Sequence, residues 1–139
     1  MLALNNTGTG FTANLLFGTP VQHVSVSSFI IDTTYTDVIV STTQCGQIKD
    51  AKGCAYPVYN ETESSTYILK HKNNTIHTPS QVIGTFTGDL VMDQVCVYDT
   101  ACANNVEFYA LMNNWGFYNI LGLAPINAVQ GPNLIRMLY

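Results

Sequence analysis

The chain is 139 residues long, 47% hydrophobic and only 10% charged, with five Lys and Arg against nine Asp and Glu and a net charge of −4. That length fits one domain, or one lobe of something larger, and has no room for a second full domain. The acidic, charge-poor composition speaks against nucleic acid or anionic lipid as a partner, since both call for a basic patch, and no apolar run approaches the ~18 residues of a membrane span.

From the amino terminus, "MLALNN" is too short for a secretory signal and lacks its basic start, so the chain reads as a mature or truncated form. Helical periodicity is then nearly absent, while β-rich runs punctuated by Gly, Asn, Pro and Thr recur. Strands are predicted over 11–18, 21–32, 36–41, 65–70, 87–98 and 105–113. Gly18-Thr19-Pro20 is a tight turn between the first two, and the polar stretch 43–64 is a loop. Only "PNLIRMLY", 132–139, reads as a helix, with Pro132 in its first turn and Leu134, Ile135 and Leu138 on one apolar side. The predicted class is all-β, in one unit spanning 1–139.

Two features bear on the compartment. Asn5-Asn6-Thr7, Asn60-Glu61-Thr62 and Asn73-Asn74-Thr75 each fit the N-glycosylation acceptor pattern. The four cysteines fall into two local pairs, Cys45 with Cys54 and Cys96 with Cys102, which read as short-loop disulfides although four cysteines formally allow three connectivities. Both features point to a secreted, extracellular, endomembrane or lysosomal location. Neither cysteine spacing is that of a zinc site, and His23, His71 and His77 add no ligand pattern, so no metal or cofactor is expected.

Other chemistry finds little support. "TGTGF", 7–11, lacks the third glycine and the strand-to-helix context of a nucleotide loop. No serine sits in a Gly-x-Ser-x-Gly elbow, and nothing ties a histidine to a nucleophile. Asp32, at the end of the apolar run "FIID", is either an ordinary turn-former or a carboxylate held on purpose.

Read in order, "LLFGTPVQHVSV", "FIIDTTYTDVIVSTTQC", "YNETESSTY", "GTFTGDLVMDQV" and "NILGLAP" form a series that resembles the N-terminal lobe of the pepsin-like aspartic peptidases. The resemblance covers nearly the whole chain from Phe11, and its specificity lies in the order of motifs that are each weak alone. It implies the N-terminal lobe of a bilobal all-β fold with a short C-terminal helix. Asp32 matches the family's first catalytic aspartate, which faces a second aspartate supplied by the other lobe. Such a pair shares one proton because two like charges in contact cannot both ionise cheaply, and it works as general base on water and acid on the scissile carbonyl. Thr33 matches the threonine whose hydroxyl braces one catalytic loop against the other.

The residues around Asp32 depart from the family pattern. The glycine after Asp-Thr is Thr34, and the next serine, which in the family hydrogen-bonds the catalytic carboxylate, is Tyr35. Glycine allows close backbone approach, so the side chain of Thr34 has to be accommodated in a crowded place. The Tyr35 hydroxyl, at the far end of a rigid ring, cannot stand where a serine Oγ stands. In the flap, Gln81 replaces the lid tyrosine and Val82 its neighbouring glycine. Tyr118-Asn119 replaces Asp-Gly before "ILGLA", and Ile39 replaces a tryptophan. No second Asp-Thr/Ser-Gly occurs in the 139 residues.

Two readings follow. One is a pepsin-like chain with impaired or lost catalysis that serves binding or structure; the other is an active aspartic endopeptidase whose second Asp-bearing lobe lies outside this sequence. A purely structural glycoprotein subunit shares every fold-building residue with the first. Each predicts a partner over the Asp32 face, either a second lobe or another subunit, with a peptide as the ligand class.

Overall fold

The structure, a computed structural model, describes residues 4–45, 58–77, 85–98, 100–113, 119–125 and 134. Among them are eight strands: β1 (Leu4–Asn6), β2 (Phe11–Phe17), β3 (Gln22–Asp32), β4 (Val38–Ser41), β5 (Ile68–His77), β6 (Thr85–Tyr98), β7 (Ala101–Asn113) and β8 (Asn119–Gly122). A single 3-10 turn, Glu61–Glu63, interrupts them. The expectation of an all-β chain holds.

The strands form one sheet in the order β1-β2-β3-β8-β4-β7-β6-β5, and an extra pairing of β2 with β6 folds it back on itself. Alternation in "FTANLLF" puts Ala13, Leu15 and Phe17 of β2 on the enclosed side. There Phe17 stacks on Phe29 with ring centroids 5.6 Å apart and meets Phe108 edge-on at 5.1 Å, while Tyr59 closes the group at 5.7 Å from both Phe17 and Phe108. Each such ring adds roughly 1.5–3 kcal/mol through burial and fixes its neighbours through ring geometry.

Strands β4 and β8 are buried along their whole length, which is why "VIVS" and "NILG" read as apolar runs and not as alternations. β8 lies parallel to β3, with Asp32 opposite Gly122, and antiparallel to β4, with Ile39 opposite Ile120. It therefore sits between the two strands that flank the Asp32 loop.

The "GTP" turn and the "SST" stretch, far apart in sequence, grip each other. The Thr19 N–H donates to Ser64 Oγ at 3.0 Å, and the Ser65 N–H donates to the Thr19 carbonyl at 2.8 Å. Gly18 has φ +80, and a Cβ there would come within 3.0 Å of the Ser64 side chain. Both the left-handed backbone and the close approach call for glycine.

β1 and β8 have no counterpart among the predicted strands, and β5 and β7 are longer than predicted. β1 is three residues long and exposed, and β8 is a four-residue apolar run, too short to separate from a buried loop by pattern alone. The helix predicted over 132–139 lies outside the described residues except Leu134, which is helical and buried.

Candidate active site

β3 ends at Asp32, and β4 resumes at Val38 after a loop of five residues. The loop backbone is held from beneath by β8 and the residues after it. The Leu123 N–H donates to the Asp32 carbonyl at 2.8 Å, the Gly122 N–H to the Asp37 carbonyl at 3.0 Å, and the Ala124 N–H to the Tyr35 carbonyl at 2.8 Å. Gly122 is where the two segments touch: a Cβ there would stand 2.6 Å from Asp37 N, Asp37 O and Thr36 C. These contacts explain why "LGLA" reads as a unit.

On this support the Asp32 side chain is half-buried, while Thr33 and Thr34 are exposed. Its Oδ1 accepts two hydrogen bonds, both from Thr34: the backbone N–H at 2.7 Å and the hydroxyl at 2.6 Å. Among the described residues, no donor reaches Oδ2 and no partner reaches the Thr33 hydroxyl. The crowding expected at position 34 is absent, because the side chain projects into solvent and turns back onto its own loop's carboxylate. The sequence carries a signal for this in Asp-x-Thr, a pattern in which short polar side chains bond locally in turns. The reading of the motif by its missing glycine passes over it.

Tyr35 is turned the other way. Its ring packs with Tyr109 against the buried trio Ile39, Leu111 and Ile120. Its hydroxyl lies beside Asp37 and makes no hydrogen bond to Asp32. Burial, and then the charge of Asp37, push the Tyr35 phenol far above its ordinary range, so it remains a neutral donor. Asp37 is itself pushed above 3.8, chiefly by burial, against the opposing pull of hydrogen bonds from Thr36 and Tyr35; the charge of Glu107 adds to the rise. Tyr109, beside both acids, is raised by burial, then by Asp37 and Glu107. Ile39 stands where the resemblance expects a tryptophan, and it belongs to the trio that the Tyr35 ring packs against.

The other buried acids are structural. Asp93, 1% exposed, accepts from the Tyr59 hydroxyl, the Thr66 hydroxyl and the Gln94 N–H, and so ties the segment 59–66 to β6. Asp89 accepts from the Asn73 N–H at 2.9 Å, across the irregular register that gives Asn73 φ 54. Among the described residues no group of three His, Cys, Asp or Glu is arranged to hold a metal ion.

Gln81, Val82 and Cys54 lie outside the described residues. Cys96 and Cys102 are joined as predicted, and Cys45 is disulfide-bonded. Of the three sequon asparagines, Asn5 and Asn73 are exposed. Asn60 is half-buried and caps the 3-10 turn, its Oδ1 accepting from the Thr62 N–H at 3.2 Å and the Thr62 hydroxyl at 2.7 Å.

A search of curated proteins finds no match to the chain. The family model described as eukaryotic aspartyl protease matches residues 10–130. The matched span holds the "GTP" turn, the Asp32 loop, the "SST" stretch and β8, the parts that support one another in the fold. With most of its length matched and its Asp32 loop seated on β8, the chain belongs to the eukaryotic aspartyl protease family.

Proposed function

We propose that these 139 residues provide one Asp-bearing half of a pepsin-like cleft, which binds an extended peptide or a protein partner and does not hydrolyse peptide bonds by itself. The observation that carries the reading is the state of the Asp32 loop. One carboxylate oxygen and the Thr33 hydroxyl have no partner among the described residues, and these 139 residues hold no second Asp-Thr/Ser-Gly to meet them. Acid–base cleavage by this chemistry needs two carboxylates sharing a proton, so a lone Asp32 can hold water or a ligand carbonyl but cannot pass the proton on. The replacements at Tyr35, Gln81 and Val82 support the same reading, as they remove groups that orient the carboxylate and cover the substrate.

A second reading, an active endopeptidase completed by another lobe or subunit, is favoured by a different observation: the carboxylate is still oriented, by both donors of Thr34. In either case the partner covers the Asp32 face. A secreted or endomembrane location is part of the proposal, supported by the disulfide chemistry and by the acceptor patterns at Asn5, Asn60 and Asn73.

The test is cleavage of an acid-denatured protein by the purified chain and by its Asp32→Asn variant, from acidic to neutral pH. The expected result is no cleavage by either. Cleavage by the parent that Asp32→Asn abolishes would overturn the proposal in favour of the second reading.

A further inference from the structure

The structure assigns Thr34 as the positioning residue of the Asp32 carboxylate, its hydroxyl doing the work that an orienting serine one position later would do. This rests on the reading of Asp32 as the site's working acid. A carboxylate at the end of a strand can turn about χ1 and χ2, and what holds it is the number and direction of its donors. Asp32 has two, and both come from one residue and converge on one oxygen: Thr34 N–H at 2.7 Å and Thr34 Oγ1 at 2.6 Å. The N–H alone is one restraint on χ1 and χ2. The hydroxyl is a second restraint on the same oxygen, and Oδ2 is left without a donor among the described residues. Hydrogen bonds to an ionised acceptor are the stronger kind, and this pair closes within a three-residue turn, so little chain entropy opposes it.

The neighbouring residue makes the assignment sharper. The Tyr35 ring is packed against the cluster of Ile39, Leu111 and Ile120, with its hydroxyl beside Asp37, so it cannot serve Asp32 without leaving that cluster. The hydroxyl has in effect moved one residue towards Asp32. Position 35 is thereby released to fill space in the core. A glycine at 34 would lose the orienting group, whereas in this chain the side chain is useful because it is not glycine.

The experiment compares the full chain with Thr34→Ala, Thr34→Ser and Thr34→Val, and reads the Asp32 side-chain rotamers from three-bond couplings in solution NMR. Amide spectra of each variant check that the fold is kept, which the exposure of Thr34 favours. The expected result is one dominant Asp32 rotamer in the parent and in Thr34→Ser, and averaging over rotamers in Thr34→Ala and Thr34→Val. An unchanged rotamer in Thr34→Ala would show that the backbone N–H suffices and would overturn the assignment. Averaging in Thr34→Ser would do the same, by showing that the methyl group and not the hydroxyl is what holds the acid. Hydrolysis enters neither readout, so the outcome of the cleavage test on Asp32 leaves this one intact.

Discussion

Asp32 and Asp93 are the same residue type put to opposite uses. Asp93 is shut away at 1% exposure, and its donors come from Tyr59, Thr66 and Gln94, so that both oxygens are engaged and two chain segments are joined through them. Asp32 is half-buried, takes its donors from a single neighbour in its own loop, and keeps one oxygen free of them among the described residues. A buried carboxylate is tolerated only where its hydrogen bonds are complete. An incomplete one must therefore stay near solvent or near an incoming ligand, and Asp32 does.

The backbone under Asp32 behaves differently from its side chain. The loop itself is as firmly held as any part of the core, because Gly122 brings β8 within contact of Thr36 and Asp37. Gly122→Ala places a methyl group against three backbone atoms that cannot step aside. The expected loss is about 3 kcal/mol or more, measured by urea unfolding, or failure to fold. A cost under ~1 kcal/mol would mean that the loop yields and that Asp32 is not on a rigid base.

A smaller effect concerns the side of the loop that faces the core. Tyr35→Ser empties the space against Ile39, Leu111 and Ile120, with an expected loss of about 2 kcal/mol. Ile39→Trp in the same chain should return roughly half of it by filling the space with a different ring, and Ile39→Trp alone should destabilise by overpacking. Strict additivity in that double-mutant cycle would break the link between the two positions.

The smallest expected effect is a pH dependence. Burial holds Asp37 above 3.8, so in the folded chain it keeps a proton that the unfolded chain has already lost. The resulting stabilisation is complete below 3.8 and is lost as pH rises through the raised folded value. Asp37→Asn has no such proton to lose. Its stability relative to the parent should therefore increase as pH rises through that window, followed by urea melts on both proteins. A constant difference across pH would count against the burial of Asp37.

Most of the fold is legible in the sequence because strand periodicity and the turn at Gly18-Thr19-Pro20 are local signals. The order of motifs adds what periodicity lacks: which distant segments meet, such as "SST" on "GTP" and "LGLA" under the Asp32 loop. The place of Asp32 at the end of a strand is legible for the same reason. What the sequence hides is direction. Asp-x-Thr signals that the Thr34 hydroxyl can turn back to Asp32, but nothing in "DTTYTD" says that the Tyr35 ring turns inward, since that choice is made by the buried trio on β4, β7 and β8. Asp93 is hidden too, because its donors are contributed by Tyr59 and Thr66, from a stretch that reads only as a polar loop giving way to a strand.

On the proposed function, Asp93 holds the structure together and Asp32 does not, its carboxylate being left for a ligand. The direct measurement is the unfolding free energy of Asp93→Ala and Asp32→Ala in the same denaturant series. The expected loss is about 2–4 kcal/mol for Asp93→Ala, which strands the buried Tyr59 hydroxyl and its companions, and less than about 1 kcal/mol for Asp32→Ala, whose donors on Thr34 can turn to water. Equal losses would contradict it, as Asp32 would then be a structural acid like Asp93.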